Sequence, residues 1–173
     1  MKLAYVMTGE PGETDRLLSG FARSCLDRGI AAAGLVQTNI EGADPRHCDM
    51  DVTVLPDGPV FRISQSLGRA ARGCRLDSAA LEAAVAAVEA TLDPAPALMI
   101  INKFGKREAE GGGFREVIGR CLAADIPVIV GVNALNHAAF LAFSAGLAEQ
   151  IPATAAALTD WLRGALPGAD LAA

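Results

Sequence analysis

The chain has 173 residues, 51% of them hydrophobic and 5% aromatic, and a formal net charge of −5. That length and apolar fraction predict one packed domain over residues 1–166 with a frayed tail at 167–173, its core aliphatic and rich in alanine. The acidic balance excludes the basic face that nucleic acid or an anionic membrane requires, and no apolar run nears the roughly 18 residues of a membrane span.

In chain order, "LAYVM" (3–7) reads as a buried first strand, too short for a signal-peptide core. A Gly/Pro turn follows, then an amphipathic helix over 14–28. This strand–turn–helix layout is that of a phosphate-binding loop, GxxxxGK[ST], in which backbone N–H groups and a lysine hold the phosphates. Gly9 and Gly12 supply the turn, and the helix from Thr14 presents free N–H groups and a positive dipole end. Where GK[ST] would stand the chain reads Glu13-Thr14-Asp15. Glu10, Glu13 and Asp15 repel a triphosphate: one unit charge at about 4 Å and an effective dielectric near 20 is worth on the order of 4 kcal/mol. Two readings stay open. Glu13 and Asp15 complement the helix dipole, or the loop is altered for another ligand.

Strands are expected next at 32–38, 52–55 and 60–63, the last two joined by a Pro-Asp-Gly-Pro turn into an antiparallel hairpin. Within "RHCDMDV", His47, Asp49 and Asp51 share one face of an extended segment, with Cys48 beside them. This is a solvent-facing strand edge or part of a metal site, and no metal is assigned. Arg69, Arg72 and Arg75 fall within seven residues of a Gly-punctuated loop, where arginine forks bind oxyanions or pair with surplus acids. A helix over 78–92 has Asp77 and Ser78 at its start. The apolar runs at 97–102 and 127–132 suit parallel strands covered on both faces, with helices at 112–124, 134–145 and 154–165 between and after them. This alternation predicts an α/β fold of three layers, α/β/α, around a mostly parallel sheet carrying the inserted hairpin.

The strand at 97–102 ends in Asn102-Lys103 and opens into "FGKREAEGGGF". Ligands of parallel sheets bind beyond the carboxyl ends of strands, so this loop and the first loop face the same edge. Cys25, Cys48, Cys74 and Cys121 form no Cys-x-x-Cys pair, which predicts reduced thiols in a cytoplasmic protein, Cys25 and Cys121 as core fillers.

Together these segments resemble the small nucleoside-triphosphatase family of the P-loop NTPase clan first known from thermophiles, over residues 3–132. Gly105, Lys106 and Glu108 match that family's Gly-Lys-x-Glu pattern. The motifs "CDMD", "FRISQ", "RGCRLD" and "NKFGKREAEG" resemble more closely an uncharacterised bacterial family of the same clan, associated with molybdate-transport gene neighbourhoods. The resemblance implies the P-loop NTPase fold with degenerate Walker A and B motifs. The Walker lysine and its Ser/Thr are absent, and Asn102 and Lys103 replace the Walker B acids.

The expected function is binding or regulation: a nucleotide or small oxyanion, phosphate or molybdate, held without ordinary hydrolysis by Gly9, Gly12, Glu13, Thr14, Asp15, Asn102, Lys103, Lys106, Arg72 and Arg75. In that setting Lys103 meets the ligand, or pairs with Glu10 or Asp15. The alternative is a triphosphatase with rearranged catalysis, in which Glu108 or Glu110 orients water, Lys103 neutralises charge and Glu13 or Asp15 holds a metal. No cofactor is assigned, and a homodimer through the alanine-rich helices stays open.

Overall fold

The structure, a computed structural model, describes residues 2–41, 48–65 and 76–167. In chain order the elements are β1 (Leu3–Val6), α1 (Glu13–Asp27), β2 (Ala32–Glu41), β3 (Cys48–Leu55), β4 (Val60–Arg62), α2 (Ser78–Glu89), a 3-10 turn (Ala90–Leu92), β5 (Leu98–Phe104), α3 (Lys106–Ala109), α4 (Arg115–Ala123), β6 (Val128–Val132), α5 (His137–Ser144), β7 (Ala148–Gln150) and α6 (Ala155–Ala165).

The strands form one sheet in the order β4-β3-β2-β5-β6-β1-β7. β2, β5, β6, β1 and β7 run parallel, and β2–β3 and β3–β4 pair antiparallel. The expected α/β architecture therefore stands, inserted hairpin included. Its cause is visible in β5, whose side chains alternate between two apolar clusters. Leu98 and Ile100 pack with Leu18 and Phe21 of α1 and Leu158 and Leu162 of α6. Met99 and Ile101 pack with Leu81 and Val85 of α2, Val117 and Ile118 of α4 and Phe140 of α5. Helices thus cover both faces, giving three layers.

Side-chain caps set two helix starts. Asp77, not Ser78, caps α2, its Oδ1 accepting from the N–H groups of Ala79 and Ala80 at 3.0 Å each. Thr154 Oγ1 accepts from the Ala157 N–H at 3.2 Å and caps α6. Cys25 and Cys121 are free and buried in the core.

On the hairpin, Arg62 of β4 reaches across to both aspartates of β3. Its Nη1 lies 2.9 Å from Asp49 Oδ2 and its Nε 2.9 Å from Asp51 Oδ1. A guanidinium thus occupies the carboxylates that the sequence offered to a metal. His47 and the side chain of Cys48 lie outside the described residues. Among the described residues no group of three or more His, Cys, Asp or Glu side chains is placed to hold a metal ion. No helix of the described residues is long and apolar enough to cross a membrane.

Tyr5, buried on β1, ties α5 and β7 to the sheet. Its hydroxyl donates to Gln150 Oε1 at 3.1 Å and shares a 3.0 Å hydrogen bond with His137 Nε2. Tyr5→Phe keeps the ring and strips both bonds, so a loss of about 1 kcal/mol in urea unfolding is expected.

Candidate functional site

The carboxyl ends of β1, β5 and β6 meet the start of α1 around a cleft of about 640 Å³. Its walls come from the first loop (Thr8, Gly9, Glu10, Pro11, Gly12), the first turn of α1 (Thr14, Asp15, Arg16), Gln37 and Asn39 of β2, and Met50 of β3. Lys103 of β5 and residues 132–135 after β6 complete it. This is the edge where parallel α/β sheets bind ligands.

The loop turns into the helix at Gly12, whose φ of 76° is in the left-handed region. No side chain caps α1. The Glu13 N–H takes the Glu10 carbonyl at 3.3 Å, and the N–H groups of Thr14 and Asp15 have no acceptor among the described residues. Those donors and the helix dipole favour negative charge at this point. Thr14 Oγ1 and Thr8 Oγ1 share a 2.7 Å hydrogen bond across the loop.

Asp15 is the hub of the site, although only 4% exposed. Its Oδ2 accepts from Asn39 Nδ2 at 2.6 Å and more weakly from Gln37 Nε2 at 3.4 Å. With its amide oriented to satisfy both neighbours, Asn102 donates to Asp15 Oδ1 at 2.9 Å and accepts from the Gln37 N–H at 3.2 Å. Lys103 Nζ lies 3.9 Å from the same Oδ1, a loose ion pair that leaves the ammonium a third exposed to the cleft. Buried carboxylates require such partners. The arrangement locks α1, β2 and β5 together through one acidic side chain.

The structure therefore brings Gly9, Gly12, Thr14, Asp15 and Lys103 into one cleft, with Asn102 buried directly behind Asp15. Glu13 is exposed and does not line it. Lys106 points elsewhere, paired with Glu110 at 3.6 Å on α3. Glu108 is buried in the turn between α3 and α4, where Oε2 accepts from the Gly105 N–H at 2.8 Å and Oε1 from the Phe114 N–H at 3.1 Å. Burial raises the pKa of its carboxyl, and those two N–H bonds oppose the rise. Arg72 and Arg75 lie outside the described residues.

Sequence reasoning missed Thr8, Arg16, Gln37 and Asn39. Gln37 and Asn39 carried a signal, two amides at period 2 where a buried strand turns polar. Asn133 shapes the far wall, its Oδ1 accepting from the Asn136 N–H at 3.0 Å. Leu135 stands on the rim, 92% exposed.

Comparison with solved structures shows the fold. THEP1 from the hyperthermophile Aquifex aeolicus superposes with a TM-score of 0.64 at 16% identity, over 98% of this chain and 99% of that one. The solution structure of a human cancer-related nucleoside triphosphatase gives 0.55 at 18% identity, over 77% and 76%. The fold is thus that of the P-loop NTPases. Among curated proteins, the molybdenum import ATP-binding protein ModC 2 of Bradyrhizobium diazoefficiens is 31% identical over 162 residues. That alignment takes in 94% of this chain but only 18% of the relative's length. Residues 3–161 match the family described as "Protein of unknown function (DUF2478)", and the chain belongs to that family.

Proposed function

We propose that the cleft binds a phosphate-bearing ligand, a nucleotide or a small oxyanion such as phosphate or molybdate, without the usual hydrolytic machinery. The observation that carries this reading is Lys103. A cation from β5 reaches to within 3.9 Å of Asp15 in the first turn of α1. It supplies at the helix start the charge that the loop lacks. Because α1 opens at Glu13, Gly12-Glu13-Thr14 answers on this reading to the Gly-Lys-[Ser/Thr] end of a P-loop. The hydroxyl, counted as lost from sequence alone, is then kept in Thr14, and only the lysine is replaced.

A volume of about 640 Å³ is within the range of small-molecule sites and has room for a nucleoside beside its phosphate. The curated relative's name, which joins ATP binding to molybdenum import, supports both ligand classes. Hydrolysis through Glu108 would require its carboxylate to abandon the Gly105 and Phe114 N–H groups, so binding is the reading adopted.

Calorimetric titration with ATP, GTP, phosphate and molybdate tests it. At least one should bind, and Lys103→Ala should weaken that ligand about tenfold or more, the worth of one charge-assisted hydrogen bond. No heat from any of the four, or an affinity untouched by Lys103→Ala, would remove the reading.

A further inference from the structure

We infer that Asp15 sets this cleft for a ligand presenting a single tetrahedral oxyanion group, a monophosphate or a free oxyanion, and against di- and triphosphates. The inference rests on the binding reading above. Among the described residues, the charged groups lining the cleft are Glu10, Asp15, Arg16 and Lys103, two acids against two bases. Local donors suffice for one tetrahedral group: the N–H groups of Thr14 and Asp15, and the exposed part of the Lys103 ammonium. A second or third phosphoryl group adds negative charge, and among the described residues the one further cation on the cleft wall, Arg16, is matched in number by Glu10.

The opposing charge is also fixed in place. Asn39, Gln37 and Asn102 hold both Asp15 oxygens, so the carboxylate cannot swing away from an arriving polyphosphate. Its burial weakens solvent screening, which makes each added ligand charge count. Lys103 is shared with Asp15, so part of its attraction is already spoken for.

The test is a titration series on the intact protein with AMP, ADP, ATP, phosphate and molybdate, with and without magnesium. AMP should bind at least as tightly as ADP and ATP in both buffers. Phosphate or molybdate binding within about threefold of AMP identifies the free oxyanion as the ligand; binding of AMP alone identifies a nucleoside monophosphate. ATP binding tenfold or more tighter than AMP overturns the inference and leaves the binding reading standing. Silence with all five compounds removes both.

Asp15→Asn should shift the ATP-to-AMP affinity ratio about tenfold toward ATP by removing one fixed charge, whereas a purely structural role would weaken both ligands alike. An amide at this position turns an N–H toward amide donors and endangers folding. Glu10→Gln, on the exposed loop, is therefore the second variant and should move the ratio in the same direction. A ratio unchanged in every variant that folds also overturns the inference.

Discussion

Gly34→Ala is expected to cost about 3 kcal/mol or more, a large share of the stability of a domain this size. Gly34 has a φ of 115° and pairs with Ile100 across the parallel β2–β5 contact. A Cβ built on it would lie 1.9 Å from the Ile100 carbonyl oxygen. That atom belongs to the backbone of a central strand and has no rotamer by which to retreat. Two costs add: the positive φ imposed on an L side chain, about 1–2 kcal/mol, and the forced separation of two paired strands. The separation reaches the cleft as well. Beyond Gly34, β2 delivers Gln37 and Asn39 to Asp15, while beyond Ile100 β5 delivers Asn102 and Lys103 to the same carboxylate. Urea unfolding should show the loss, and any ligand of the cleft should bind more weakly to the folded fraction. A variant within about 1 kcal/mol of the parent would contradict the close approach of these strands.

The fold was legible where hydrophobic period decides structure. The runs at 3–7, 97–102 and 127–132 became β1, β5 and β6, each covered on both faces, and the five helical patterns became α1, α2, α4, α5 and α6. β7 was missed because Ala148–Gln150 is a short, mostly exposed edge with no apolar run to mark it. α3 was missed because Lys106–Ala109 is one turn of polar sequence, made helical by the Glu108 carboxylate on the Gly105 N–H rather than by an apolar stripe. The site was legible in its ends and illegible in its middle. The glycine turn and the Asn102-Lys103 terminus could be read from sequence. That Asp15 would turn inward to Asn39 and Asn102 could not, because a first-turn acid serves the helix dipole equally well facing solvent. Which way it faces depends on strands that lie more than twenty residues away in sequence.

Glu108 carries the second large effect, and its variants separate the two roles open to it. Glu108→Ala leaves the buried Phe114 N–H and the half-buried Gly105 N–H without their acceptor, at about 1–3 kcal/mol for the first and less for the second, so a total near 3 kcal/mol is expected in urea unfolding. Glu108→Gln keeps the shape and one acceptor, and should cost about half as much. The pH dependence has a definite sign. Burial raises the folded-state pKa of Glu108 above its ordinary value of 4.5, with the charge of Glu82 adding slightly and the backbone N–H bonds opposing. The folded protein thus holds this proton more tightly than the unfolded chain. The resulting stabilisation is complete below the ordinary value and is lost as pH rises through the raised one. Measured against Glu108→Gln, which cannot titrate, the parent's advantage should shrink as pH rises above the ordinary value of 4.5 and level off above the raised one. A flat difference would mean that the carboxyl group is solvated rather than buried among backbone donors. Ligand titration of Glu108→Gln completes the distinction. Binding that survives while stability falls makes Glu108 the brace of the α3–α4 turn. Loss of binding at full folding would instead connect that turn to the cleft, through Phe104 and Gly105 and the hydrogen bond from the Gly105 N–H to Glu108.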